Sequence, residues 1–245
     1  MDIKELKEKA IKFFFLLNGL LVIVILLAIF SLLIKNSWPA LKKIGLFNFI
    51  TSADWNPTSY SGAKYGILAQ VFSSILVTLG AMMIAVPLGI ATAAYIAEVA
   101  HPKVKKILKP TVEILAGIPS VVIGFLGIVV VGPFIADIFI LPNGLNAING
   151  AILLGIMALP TIISLSEDAI SSVPRYYKRA SLGLGANRWQ TLIKVVIPSS
   201  LSGIIASVML GMGRAIGETM AVLMATGNAP AFPNSGYERA PKTQP

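Results

Sequence analysis

The chain has 245 residues, 56% of them hydrophobic and 13% charged, with 20 lysines and arginines against 11 acidic residues for a net charge of +9. Soluble domains carry about 25% charged residues, so this composition points to a membrane protein. There is no cysteine, which excludes disulfides, thiolate metal sites and a thiol nucleophile.

A helix needs about 20 apolar residues to cross a bilayer. Residues 1–12 carry Lys4, Lys7, Lys9 and Lys12 and lead into the uncharged run Phe13 to Ile34. That run exceeds a signal-peptide apolar region, and its end, Ser31-Leu32-Leu33-Ile34, has no A-x-A-like cleavage site. A retained first membrane helix at 13–34 is expected. Residues 35–65 form the expected external loop, where Trp38, Phe47, Phe49, Trp55, Tyr60 and Tyr65 suit the headgroup layer.

Four further spans are expected within a core at 66–227. They are Gly66 to Ala97, Ile114 to Ala136, Ile148 to Ser166, and Val195 to Gly213 extended through Arg214 and Glu218 to Gly227. Pro87, Pro119, Pro133 and Pro160 lie inside them, and a proline in a span needs neighbouring helices or water to satisfy the carbonyl it frees. Residues 228–245 form a polar tail. Thirteen lysines and arginines fall in 1–12, 98–113 and 167–198, against six in the alternate connections and tail. This asymmetry puts the N-terminus in the cytoplasm, and its confinement to loops excludes a nucleic-acid surface.

No phosphate-cradling G-x-x-x-x-G-K-[ST] sequence occurs, so any ATP must be bound by another chain. His101, the single histidine, precedes Pro102 in a basic loop and is expected to be solvated. An intramembrane enzyme has no support, since the chain offers no histidine cluster and no carboxylate pair within a span.

The connection 167–198 is far longer than the usual 2–8 residues between bundled helices. Ser171-Ser172-Val173-Pro174 offers a helix start, Gly183 and Gly185 a reversal, and Asn187 the cap of a second short helix. Small residues at the bend would let another surface approach closely. In the fifth span, Arg at a helix centre costs about 2.5–3.5 kcal/mol on insertion scales, which makes Arg214 a functional candidate. Glu218, four residues on, is expected on the same helical face.

Here the residues resemble a family. Arg179-Ala180-Ser181-x3-Gly185-x9-Val195-Val196-Ile197-Pro198 matches the spacing of the E-A-A-x3-G-x9-I-x-L-P loop through which ABC importer permeases contact their ATPases, with Arg179 in place of the glutamate. Ala85-Val86-Pro87-Leu88-Gly89-Ile90, Leu115-Ala116-Gly117-Ile118-Pro119-Ser120 and Gly213-Arg214-Ala215-Ile216-Gly217-Glu218-Thr219-Met220-Ala221-Val222 resemble the C-type permeases of phosphate-specific importers, the PstC family, more than their A-type partners. The resemblance covers most of 65–230.

It implies an all-α integral membrane bundle of the MetI-like type and a non-enzymatic transport subunit, in a multi-pass inner or plasma membrane setting of a bacterium or archaeon. Inorganic phosphate would pass inward along a path holding Arg214 and Glu218. The coupling loop would use Arg179, Ala180, Ser181, Gly185, Ile197 and Pro198. The implied partners are an A-type permease, a dimer of ATP-binding subunits carrying ATP and magnesium, an external phosphate-binding protein and the lipid bilayer, with no cofactor in this chain. Relatives continue past the position of Gly227 to Pro230 into a sixth helix; five spans are expected here, the last of the six being missing. The competing readings are a secondary anion transporter or channel, and a truncated permease that does not transport.

Overall fold

The computed structural model describes residues 3–57 and 63–227. Tyr60 and the tail at 228–245 lie outside the described residues. The chain divides into two compact units, 1–69 and 70–245.

In the first unit, α1 (Ile3–Ile44) contains the whole apolar run and continues through Pro39, so residues 35–44 of the expected loop are helical. At 1.5 Å per residue its 42 residues reach about 63 Å, twice the hydrocarbon thickness of about 30 Å. Every side chain from Phe13 to Ile34 is exposed, which suits a helix solvated by lipid. Asn18 inside this run satisfies its amide by donating to the Phe14 carbonyl at 2.8 Å. Next come the short α2 (Leu46–Thr51) and an antiparallel pair, β1 (Trp55–Asn56) and β2 (Lys64–Tyr65). Trp55 and Tyr65 meet edge to face at 6.0 Å, and Lys64 pairs with Asp54 at 2.7 Å.

The second unit contains most of α3 (Leu68–Ala94), which runs on into a π-helical turn at Tyr95–Val99. It continues with α4 (Pro102–Ala116), α5 (Ser120–Leu126), a π-helical turn at Gly127–Val131, and α6 (Gly132–Phe139). Then follow α7 (Ala147–Ser171), α8 (Arg175–Gly183), α9 (Arg188–Thr191), a third π-helical turn at Leu192–Val196 and α10 (Ile197–Ser199). The last described helices are α11 (Leu201–Gly217) and α12 (Met220–Thr226).

Helix α7 is the axis of this unit. The Asn146 side chain caps it by accepting from the Asn149 amide at 3.0 Å. In lipid, apolar burial gives helices little reason to associate, so close packing of small residues does the work. Helix α11 runs antiparallel to α7: Gly203 faces Ala169, Ser207 meets Ser166 at 2.6 Å, and Gly211 faces Ile162. Helix α3 runs parallel to α7, with Gly80 against Ala151 and Gly89 against Ile162. Ile162 is therefore wedged between two helices that approach through glycine, and it is fully buried. The outward faces carry Leu79 and Met83 of α3 and Leu201, Ile205 and Met209 of α11, all exposed as lipid contact requires.

Two expected spans differ from the structure. The third was expected to start at Ile114, but Ile114 to Ala116 are the last turn of α4, and the apolar helix long enough to span starts at Ser120. Gly117 and Pro119 explain the break: proline disfavours helical backbone at the residue before it and lacks an amide proton. The fifth was expected as one continuous helix. Instead, the helical stretches Arg188–Ser199 and Leu201–Gly217 meet at 70°, and the helix breaks again at Glu218–Thr219. Four helices among the described residues are long and apolar enough to cross a membrane, and the bent pair makes a fifth.

Candidate functional site

Arg214 lies in the last turn of α11, 13 residues or about 20 Å beyond its start. Its side chain is half-buried. One terminal nitrogen donates to Thr161 Oγ1 of α7 at 3.4 Å and the other to the Ala116 carbonyl at 3.3 Å. Both bonds are longer than the usual N–H···O range of about 2.7–3.2 Å. A guanidinium has five N–H donors. The remaining three have no protein partner among the described residues. The arginine thus sits where α7, α11 and the break between α4 and α5 converge, held loosely and with donors to spare.

Glu218 does not share a helical face with Arg214. Helix α11 ends at Gly217, and Glu218 has extended backbone, with φ −74° and ψ 129°. Glycine is a poor helix former, and the Glu218 amide only closes a short turn to the Ala215 carbonyl at 3.4 Å. The i, i+4 neighbour relation requires uninterrupted helix, so it fails here. Arg214 and Glu218 form no ion pair among the described residues, although both are half-buried.

The long connection folds as two short helices. Pro174 precedes the first turn of α8, and Gly185 turns the chain at φ 87°, a left-handed conformation that costs other residues roughly 1–2 kcal/mol. Asn187 caps α9 in a reciprocal capping box with Gln190, at 2.8 and 2.9 Å. Ser181 of α8 meets Thr191 of α9 at 3.0 Å and closes the hairpin. Arg179, Ala180 and Gly185 are exposed, Ser181 and Ile197 half-buried, and Pro198 exposed beside the 70° bend. Leu184 at the tip is 90% exposed, with Tyr176 and Trp189 also exposed. Lys178 pairs with Glu98, which ties α8 to the π-helical end of α3.

A charge cluster that the sequence did not reveal lies beside this loop. Glu167, near the end of α7, is buried yet accepts from Lys105 at 2.5 Å, Lys109 at 2.7 Å and Ser171 at 2.7 Å. Lys109 also donates to Asp168 at 2.9 Å. The Asp168 carboxylate first, and then Glu167, hold the Lys109 ammonium above the usual lysine range. The partners are about 60 residues apart in sequence, so no local pattern announces them. His101 is exposed as expected, and it also caps α4 by accepting from the Lys103 amide at 3.4 Å.

Residues 85–238 match the family described as binding-protein-dependent transport system inner membrane component. The chain is similar to the probable ABC transporter permease protein YqgH of Bacillus subtilis, at 46% identity over 192 residues covering 78% of this chain and 62% of that protein. It is also similar to the phosphate transport system permease proteins PstC of Mesorhizobium japonicum and Haemophilus influenzae. The first is 36% identical, covering 86% of this chain and 69% of that one; the second is 32% identical, covering 89% and 74%. Among solved structures, an inward-facing MetNI methionine ABC transporter overlaps at a TM-score of 0.49 and 21% identity, covering 62% of this chain and 68% of that chain.

Proposed function

We propose, since this chain belongs to the family of binding-protein-dependent transport system inner membrane components, that it is the permease subunit of an ABC importer that passes inorganic phosphate inward. The substrate reading is supported by the PstC relatives, which are phosphate transport permeases by name. The observation that carries it is Arg214, a permanent cation, half-buried at a three-way helix junction with donors that have no partner among the described residues. A guanidinium does not deprotonate and presents fixed donors to an oxyanion, so it can hold a phosphate where water is scarce. Its two protein bonds are long enough to exchange for those of an anion, which lets the site release what it binds. Glu218, at the helix break, is the negative group of the same path and limits how tightly an anion is held.

The energy comes from partner chains. In this reading two ATP-binding subunits hydrolyse ATP with magnesium, an A-type permease completes the membrane pair, and an external phosphate-binding protein delivers the anion. The α8–α9 hairpin, with Arg179, Ala180, Ser181 and Gly185 around its bend and Ile197 and Pro198 at its exit, is the surface on which the ATPase docks. Leu184 fits this role, being 90% exposed at the hairpin tip with Tyr176 and Trp189 also exposed.

This gives a test that separates an ABC permease from an ATP-independent anion carrier. Affinity purification of the tagged chain from membranes containing its partners should retain an ATP-binding chain. Leu184→Asp should lower that recovery at least about tenfold, equivalent to ~1.4 kcal/mol, while the amount of permease in the membrane stays the same. Purification of the permease free of any ATP-binding chain would oppose the assignment.

The charge asymmetry supports a cytoplasmic N-terminus in an inner or plasma membrane. Because the chain has no native cysteine, single cysteines at Glu8 and Leu182 can be mapped without background. Both should react with a membrane-impermeant maleimide only from the cytoplasmic side. Labelling of either from outside would reverse the topology.

A further inference from the structure

The ion cluster at Glu167 and the arginine junction at Arg214 are bridged by two elements, α7, which carries both Glu167 and Thr161, and α4. The α4 residues Lys105, Lys109, Val112 and Ala116 recur at helical spacing and form one half-buried stripe. This stripe lies antiparallel to the C-terminal part of α7. Lys105 meets Ser171 and Glu167, Lys109 meets Glu167 and Asp168, and at the far end Ala116 shares Arg214 with Thr161. The two ends of the contact are seven to eleven residues apart along α4, about 10–17 Å.

We propose that α4 is a stiff arm that transmits the position of the α8–α9 hairpin to Arg214, and that Glu167 is the positioning residue that fixes the arm. This rests on the reading of Arg214 as part of the phosphate path. At the hairpin end, Val173 is buried with Ala93, Ile170, Leu192 and Val196, so the base of the hairpin moves with the end of α7. Glu167 is only 2% exposed, and both of its oxygens are engaged by α4 lysines. Pro110 removes one backbone donor from α4, and Lys105 and Lys109 clamp the turn that it weakens. At the other end, the Ala116 carbonyl accepts directly from Arg214. A shift of α7 relative to α11 thus moves the acceptor on which Arg214 rests.

The test uses the full transporter, with its partner chains, in proteoliposomes. Inorganic phosphate is the probe, and the readout is ATP hydrolysed per phosphate delivered. Damage to folding or assembly lowers both rates together and leaves this ratio unchanged, whereas loss of the arm lets ATP hydrolysis run without phosphate movement. Glu167→Gln should raise the ratio at least about tenfold, with Glu167→Asp intermediate. The Lys105→Gln, Lys109→Gln double variant should do the same. Its changes fall on side chains 36% and 38% exposed, so it decides the matter alone if Glu167→Gln fails to assemble. Assembled variants with the wild-type ratio would overturn the arm. A wild-type complex that hydrolyses ATP and moves no phosphate would overturn the transport reading, and the arm with it.

Discussion

Arg214→Gln is expected to reduce phosphate uptake at least about 100-fold while the protein still reaches the membrane at the wild-type level. Two bonds to a charged donor are worth about 1.5–3 kcal/mol each, and a loss of ~2.7 kcal/mol already corresponds to a factor of 100. Glutamine keeps an amide donor but loses the charge, and it is too short to replace the guanidinium fork. The protein itself loses little, because the bonds to Thr161 and Ala116 are long and the side chain is only half-buried. Arg214→Lys should fall between the two, since it keeps the charge without the planar fork. The measurements are initial rates of labelled phosphate uptake and the amount of permease in the same membranes. Uptake by Arg214→Gln within twofold of wild type would remove Arg214 from the path.

Gly211→Val should weaken the packing of α11 on α7 and α3. A Cβ at Gly211 would lie 2.6 Å from Ile162 Cγ1, and one at Gly89 would lie 2.7 Å from Ile162 Cγ2, so Ile162 has nowhere to retreat. Overpacking of this kind costs roughly 1–3 kcal/mol. Arg214 lies one helical turn beyond Gly211, and Thr161 is the neighbour of Ile162, so a forced separation here also draws the arginine away from its acceptor. The thermal midpoint in detergent should fall, and uptake should fall with it. Adding Ile162→Ala should recover part of both, because the two sites share one contact and their effects are not additive. Gly213→Ala is the comparison, since a Cβ there meets nothing within 4 Å. If Gly211→Val is as stable as Gly213→Ala, Ile162 is not the wedge described.

What was readable from sequence depended on how local the cause was. The apolar runs around α1, α3 and α7 follow directly from composition. So does the hairpin: the Asn187 cap, the Pro174 start and the Gly185 turn are each set within a few residues, and each occurs where its chemistry required. Arg179 in place of the motif glutamate did not prevent that geometry, because Gly185, Asn187 and the Ser181–Thr191 contact hold the bend without it.

Breaks within apolar stretches were harder to read. Gly117 and Pro119 split the expected third span into α4 and α5, and Ser200 bends the expected fifth by 70° while its hydroxyl bonds the Val196 carbonyl at 2.9 Å. Hydropathy continues across both. The pairing of Arg214 with Glu218 was inferred from a continuous helix and failed with it. The acceptors that replace Glu218, Thr161 and Ala116, are 53 and 98 residues away. The Glu167 cluster was hidden for the same reason: opposite charges 58–62 residues apart become partners only once α4 lies against α7.

In the proposed function, ATP hydrolysed by partner chains drives phosphate past Arg214. The most direct measurement is accumulation of labelled phosphate by proteoliposomes containing the assembled complex, with ATP on the ATPase side. Phosphate should accumulate with ATP, not with a non-hydrolysable analogue, and not when the complex carries Arg214→Gln. Accumulation that needs no ATP, or steady ATP hydrolysis without phosphate entry, would contradict that function.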